Sequence, residues 1–381
     1  MKIVHCCLSN FYIDNYNYQE NVLPKQNRLD GHDVSIIAST ETYINNTQLG
    51  YVEPRDYVNE DGIPVRRIPY RRIPISFLRR KIRSYPGVYQ ILEEQKPDVI
   101  LFHGIPAWEL KTVAKYKRKH PEMKLYADSH EDFHNSAKTF LSKNILHKMF
   151  YKWIVRGSYQ SLDKILYYSL EAKDFLNTLY GLPFNKMEFY PLGGTVIEEK
   201  EHQTRRQKVR KGLNLSDNHI LIIHSGKLGR QKRTEDILQA LARVPSEKLC
   251  LVIAGTIPEE MKPVLEPLIV ADKRVCFVGW KTADELIDLL CAADLYIQPG
   301  SQSATMQNAI CCGCPVAIYP YKSHEPYLKN NGYYVKSAED MEKVFQEIID
   351  EPNKLRIMSD NSMKIARELL DYKKLAARLY E

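Results

Sequence analysis

The chain has 381 residues, too long for one ordinary domain and suited to two, and its 44% apolar content is enough to fill two cores. No stretch reaches the roughly 18 uninterrupted apolar residues that span a bilayer. The opening Met1-Lys2-Ile3-Val4-His5-Cys6-Cys7 lacks the apolar run and cleavage site of a secretory signal, so the expectation is a cytoplasmic protein, soluble or peripheral on the cytoplasmic membrane face. A net charge of +7 is moderate and leaves nucleic acid, an anionic membrane or a phosphorylated substrate open, so its distribution matters more than its total.

The first half alternates two periodicities. Residues 2–8 read as a buried strand, 18–29 as a helix stopped by Gly31, and 33–38 as a second strand. Residues 97–103 form a strand running into a turn at Gly104, followed by a helix over 108–119 and strands at 124–127 and 163–168. Strands separated by helices imply parallel pairing through right-handed crossovers. Pro191-Leu192-Gly193-Gly194-Thr195 breaks the rhythm, and the polar run 198–211 follows it, which sets a domain boundary.

The pattern then restarts. Strands are predicted at 219–224, 249–254, 275–278, 294–298 and 315–319, with helices at 234–242, 283–292, 306–312, 338–350 and 354–369. The predicted domains are 1–194, 195–365 and a C-terminal helix, 366–381, crossing back to the first domain. Ligands of open parallel sheets bind at the carboxyl ends of the strands, here expected to face an interdomain cleft. Eight cysteines in a chain without a signal read as reduced thiols. Cys311-Cys312-Gly313-Cys314 has no second pair at zinc spacing, which favours buried packing over a metal.

Two stretches carry chemistry. In His224-Ser225-Gly226-Lys227-Leu228-Gly229-Arg230-Gln231-Lys232-Arg233 a strand ends in a glycine turn crowded by cations, and Lys227 and Lys232, five apart, can reach one anion. A departing diphosphate gains negative charge in the transition state and calls for such groups, which makes both lysines catalytic candidates. In the second stretch, Gly300, Ser301, Ser303, Ala304 and Thr305 form a small-residue loop into a helix whose start suits a phosphate, with Gln307 and Asn308 placed for ribose hydroxyls. A solvated basic turn and an ordinary serine-capped helix start are the plainer alternatives.

Together these stretches resemble the nucleotide-sugar half of family 4 glycosyltransferases, which have the GT-B fold. Gly226-Lys227-Leu228 with Lys232 is similar to the family's Gly-Arg-Leu turn and its following Lys, with Lys227 in place of Arg. Val275 to Gly279, which includes Val278, and Asn308 to Val316 are similar to later landmarks of the same half. In the first half, Gly31-His32-Asp33-Val34 and Pro97 to His103 are also similar to the family's landmarks.

The resemblance implies an α/β protein of two Rossmann-like parallel-sheet domains. It would be a retaining, metal-independent transferase taking a sugar from a nucleotide diphosphate donor, without a bound cofactor. The acceptor would be a glycan or lipid-linked glycan, in bacterial surface polysaccharide synthesis. The family's two loop glutamates are absent, their positions falling on Gly300 or Ser303 and on Asn308.

Asp128-Ser129-His130-Glu131-Asp132 resembles the family's histidine-bearing loop, which makes His130 the first-domain catalytic candidate. Tyr12, Asn15, His103 and Glu131 are the acceptor-side candidates, although His103 also reads as a structural residue at a strand end. Arginines interleaved with apolar groups over Arg66 to Arg83 suit an anionic membrane surface. The alternatives are a sugar-nucleotide epimerase of the same fold and a basic nucleic-acid- or membrane-binding protein without catalysis. No nucleic-acid motif supports a nucleic-acid partner.

Overall fold

The computed structural model describes residues 1–44 and 48–381, with side chains at all of these except residues 76 and 77. The chain forms two compact units, Met1–Pro191 with Tyr372–Glu381, and Leu192–Asp371.

The strands of the first unit are β1 (Lys2–Cys7), β2 (Asp33–Ser39), β3 (Glu41–Ile44), β4 (Gln48–Tyr51), β5 (Arg55–Val58), β6 (Pro64–Ile68), β7 (Val99–Phe102), β8 (Lys124–Ser129), β9 (Lys164–Tyr167) and β10 (Met187–Phe189). Eight form one sheet in the order β10-β9-β8-β7-β1-β2-β6-β5, parallel apart from β5, which runs antiparallel to β6. Central strands such as Val99–Phe102 are buried at every residue, as parallel strands covered on both faces must be.

β6 is a strand that periodicity does not reveal. Its side chains alternate, with Val65 inward and Arg66 outward, but the next inward position holds Arg67, which is fully buried. The last turn of chain, Tyr372–Ala377, belongs to this unit. Tyr190 Oη donates to Leu375 O at 2.6 Å, and Arg378 Nε donates to Glu188 Oε1 at 3.1 Å.

The second unit contains β11 (Ile220–Lys227), β12 (Leu249–Thr256), β13 (Val275–Gly279), β14 (Leu295–Gln298), β15 (Val316–Ile318) and β16 (Gly332–Tyr334). They pair in parallel in the order β13-β12-β11-β14-β15-β16. The helix Ala283–Ala292 starts in a reciprocal cap: Glu285 N–H donates to Thr282 Oγ1, and Thr282 N–H donates to Glu285 Oε2 at 2.8 Å. Cys311, Cys312 and Cys314 are buried free thiols.

The polar run that read as a connection is a 14-residue helix, Glu199–Gly212. Arg210 is its buried residue, so it shows no apolar stripe. It is fastened by charge. Lys208 Nζ meets Asp288 Oδ2 at 2.8 Å, Arg206 Nη2 meets Asp294 Oδ1 at 2.6 Å, and Arg210 Nη1 meets Asp294 Oδ2 at 2.9 Å.

Candidate functional site

At the carboxyl ends of β11, β12 and β14 three glycines let backbone meet backbone. A Cβ on Gly255 would lie 1.8 Å from Gly226 O, and one on Gly300 would lie 2.0 Å from Gln231 O. Gly226 itself has φ +131°, and a Cβ there would meet Lys232 Cε at 3.1 Å. Ser301 N–H donates to Gln231 O at 2.9 Å, which fixes the lysine-bearing turn to the loop after β14. The stem of Lys232 therefore lies along a glycine surface that any side chain at 226 would displace.

Burial holds the Lys232 ammonium below the ordinary lysine range. Among the described residues no carboxylate pairs with it. Lys227, at the exposed end of β11, is likewise free of an acid partner among them, as is exposed Arg230. Arg233 is committed within the unit, donating from Nε to Asp236 Oδ2 at 2.7 Å. A desolvated cation without a counter-ion is an incomplete arrangement that an anion completes.

His224 was quoted in the motif without a role. It is fully buried, donates from Nδ1 to Ile297 O at 2.9 Å, and accepts at Nε2 from Thr234 Oγ1 at 3.0 Å. Burial and then the charge of Lys232 hold its pKa at about 4, so it stays neutral and ties β11 to β14 and to the helix Thr234–Arg243.

The helix after β14 falls within one residue of the expected 306–312. It is Thr305–Cys311, seven residues, with Ser303 Oγ accepting from Thr305 N–H at 3.3 Å. Gln307 is buried, and its Oε1 accepts from Gly193 N–H at 2.8 Å, which commits that oxygen within the unit. Asn308 is half-buried with its Oδ1 against the Gly194 backbone. Ser301, Ser303 and Thr305 are half-buried, Ala304 is exposed, and Val278 is half-buried on edge strand β13.

In the first unit, the carboxyl ends of β1, β7 and β8 share a buried polar chain. His103 Nδ1 forms an ion pair with Asp128 Oδ2 at 2.7 Å, and its Nε2 meets His5 Nδ1 at 3.0 Å. His5 Nε2 in turn donates to Asn27 Oδ1 at 2.8 Å. Gly104 N–H and Tyr168 Oη complete the Asp128 carboxylate at 2.6 and 2.9 Å. Burial alone would lower the His103 pKa, but Asp128 outweighs it and holds the imidazolium. Burial and then this neighbouring charge push His5 down to about 3. His103 is thus a fully buried structural group, not an acceptor contact.

His130 follows β8 and stacks on Tyr168 with ring centroids 3.8 Å apart. Its Nε2 is buried without a hydrogen-bond partner among the described residues. Glu131 accepts from Tyr180 Oη at 3.3 Å and Ser136 Oγ at 3.4 Å. Burial raises its carboxyl to about 7, against the pull of Arg83.

Tyr12 is fully buried, its hydroxyl accepting from Asn59 Nδ2 at 2.8 Å and Arg67 lying 5.4 Å from its ring. It shapes its loop from within. Asn15 is exposed with φ 62°, its N–H on Glu60 Oε1 at 3.0 Å. Among the described residues no group of three His, Cys, Asp or Glu is placed to hold a metal.

In the basic stretch 66–83 three arginines are taken up by acids, while Arg71, Arg72 and Lys81 are exposed without an acid partner among the described residues. Arg66 pairs with Glu94 at 3.1 Å, Arg67 with Asp14 at 3.0 Å, and Arg80 with Glu41 at 2.6 Å. Arg79 Nε donates to Ile73 O at 3.0 Å and Arg83 Nη1 to Ser9 Oγ at 2.8 Å. The side chain of Phe77, part of the same expectation, lies outside the described residues.

Comparison with known proteins gives a consistent result. Residues 23–193 match the "Glycosyl transferase 4-like domain" family, and residues 205–365 match "Glycosyl transferases group 1". The alpha-galactosylglucosyldiacylglycerol synthase of Streptococcus pneumoniae is 23% identical over 202 residues, 49% of this chain and 52% of that protein. The chain spans about half the length of the curated relatives it matches.

Sucrose-phosphate synthase from Thermosynechococcus elongatus superposes with a TM-score of 0.67 at 15% identity, over 99% of this chain and 97% of that one. Anabaena HepE in complex with UDP superposes with a TM-score of 0.66 at 15% identity, over 99% and 98%.

Proposed function

From the premise that the chain carries two glycosyltransferase-type domains on the GT-B fold, we propose that it transfers a sugar from a nucleotide diphosphate donor to a glycan or lipid-linked acceptor. The observation that carries this reading is the Lys232 ammonium, desolvated over Gly226 and without a counter-ion among the described residues. Lys232 and Lys227 would hold the diphosphate and stabilise the charge it gains as the glycosidic bond breaks. Gly255 packs on the Gly226 backbone and Gly300 on the backbone of Gln231 and Lys232, which leaves the Lys232 stem its place over Gly226.

Complexes of a structural neighbour with UDP and with UDP-glucose make a uridine nucleotide the first donor to try. The name of the pneumococcal relative favours a glycolipid acceptor. Retention of configuration without a metal follows from the family resemblance, with the two lysines serving where a metal's charge would. His130, whose Nε2 has no partner among the described residues, is the first-unit group proposed to touch substrate.

The test is a thermal-shift titration with UDP, UMP and UDP-glucose. A ligand bound only by the folded state raises the midpoint. UDP is expected to raise it, UMP much less, and Lys232→Ala to abolish the UDP shift. An equal shift for UMP and UDP, or a full UDP shift in the variant, would end the reading.

A further inference from the structure

The segment 138–156 carries five cations, Lys138, Lys143, Lys148, Lys152 and Arg156, and residues 133–162 contain no Asp or Glu. It folds as a helix over Ser142–Tyr151 that continues through Lys152–Arg156. Its inner face, with His147, Tyr151, Ile154 and Val155, is buried in the unit. Its outer face is apolar: Phe140 is 77% exposed, Leu141 65%, Ile145 52%, Met149 65% and Trp153 53%.

Leu141, Ile145, Met149 and Trp153 recur every four residues. In an α-helix of 3.6 residues per turn such positions drift around the axis. Neighbours four apart nonetheless share a face of the helix, and all four side chains are exposed. The result is one continuous apolar ridge. None of the four lysines flanking it is ion-paired among the described residues.

The ridge ends beside a basic cavity. Lys111 Nζ stands 3.5 Å from the Trp153 ring centroid, and Trp108 packs on Trp153 at 5.9 Å. Trp108, Lys111, Lys115, Arg118 and Arg71 line a cavity of about 570 Å³. Its acid, Glu109, is turned inward, accepting from Tyr85 N–H at 2.7 Å and Ser84 Oγ at 3.1 Å.

We propose that residues 140–153 lie in the interface of an anionic phospholipid membrane. The ridge enters the headgroup–acyl boundary and the lysines, with Lys111, Lys115 and Arg118, meet lipid phosphates. An exposed ridge of Trp, Phe, Leu, Ile and Met bordered by unpaired lysines is the pattern of an interfacial helix, whose binding adds buried apolar area to attraction for anionic lipid. A protein partner would be expected to offer carboxylates to cations grouped on a few sites. Here the positive charge runs along the whole ridge without an acid among residues 133–162, and that matches a laterally continuous negative surface. This docking face lies outside the 66–83 stretch and does not depend on the donor reading.

The test uses flotation of the full chain with phosphatidylglycerol-containing vesicles and with pure phosphatidylcholine vesicles. Binding is expected to the anionic vesicles, with a blue shift of Trp emission. Leu141→Gln with Ile145→Gln and Met149→Gln should weaken it at least tenfold. Lys143→Gln with Lys148→Gln and Lys152→Gln should weaken it about a hundredfold, at roughly fivefold per lysine. The exposed positions leave the thermal midpoint in place, which verifies folding. Arg79→Gln with Arg80→Gln and Lys81→Gln should retain binding. Undiminished flotation of the ridge variant overturns the proposal, as does loss only in the 79–81 variant. So does ridge-dependent self-association without vesicle binding.

Discussion

Two basic segments of the first unit look alike on paper and differ in how much of their charge is paired. Residues 66–83 hold eight cations and residues 138–156 hold five, both interleaved with apolar groups and both without a carboxylate. In the first, Asp14, Glu41 and Glu94 each receive one arginine, Arg79 and Arg83 donate within the unit, and Arg71, Arg72 and Lys81 stay exposed. In the second, no ion pair to an acid forms among the described residues, and one row of apolar groups faces outward. Local charge density therefore says little about a surface, because the counter-charges arrive through tertiary pairing at distant positions. Lys232 in the second unit is a third case, turned inward and still unpaired among the described residues.

The largest expected effect tests the inward state. Arg67 has no exposed side chain and donates to Tyr57 Oη at 3.0 Å, Ser39 O at 2.9 Å, Tyr12 O at 3.1 Å and Asp14 Oδ2 at 3.0 Å. Arg67→Ala leaves two carbonyls without their donor and Asp14 with only the Tyr57 hydroxyl, and breaking a buried pair costs up to about 3–5 kcal/mol. Urea unfolding should show a loss of that size. A loss below about 1 kcal/mol would mean that this arginine is as loosely held as a surface one.

The same contrast explains what the sequence could tell. The alternation of strand and helix was legible because apolar runs such as Val99–Phe102 are buried on both faces. The helix Glu199–Gly212 was not, since its attachment runs through Asp288 and Asp294, roughly eighty residues away in sequence. β6 was hidden by the inward Arg67. At the candidate site, Gly226 and Lys232 were legible as a glycine turn with spaced cations. The approach of Gly300 to Gln231 and the bond that takes up Gln307 were not, because they are contacts between loops.

Lys232 sharpens the comparison next. A hydrogen bond to a charged group contributes about 1.5–3 kcal/mol, so Lys232→Met should weaken UDP binding by roughly ten- to a hundred-and-fifty-fold in calorimetry. Its pKa is lowered on folding, so its charge opposes folding at neutral pH and the unliganded variant should melt no lower than the parent. A lower melting point together with intact UDP affinity would place the lysine in the structural class with Arg67.

The two segments meet at Glu131, whose carboxyl feels Arg83 from the first and lies with Tyr151 of the second among the groups acting on that arginine. Its folded pKa of about 7 stands above the ordinary 4.5. The stability it allows is therefore full below pH 4.5 and falls as pH rises through 7, at no more than about 1.4 kcal/mol per pH unit. Glu131→Gln should flatten that slope between pH 5 and 8 in denaturant unfolding, whereas Arg83→Ala should shift it to higher pH. A slope unchanged by either variant would separate Glu131 from both segments.

A paired substitution is the most discriminating for the comparison itself. Arg80 is half exposed, as many surface arginines are, yet its partner Glu41 is 1% exposed and also accepts from Tyr70 Oη at 2.7 Å. Lys148 is exposed with no acid near it among the described residues. Substituting alanine removes one positive charge in each case. At position 80 it strands a buried carboxylate and should cost about 1–3 kcal/mol. At position 148 there is nothing to strand, and the change should stay within about 0.5 kcal/mol. Equal costs in parallel urea titrations would mean that the counter-charge, and not the cation's own exposure, had been misjudged. Unequal costs in this order leave the lysines of 138–156 with no role in folding and free to serve a surface.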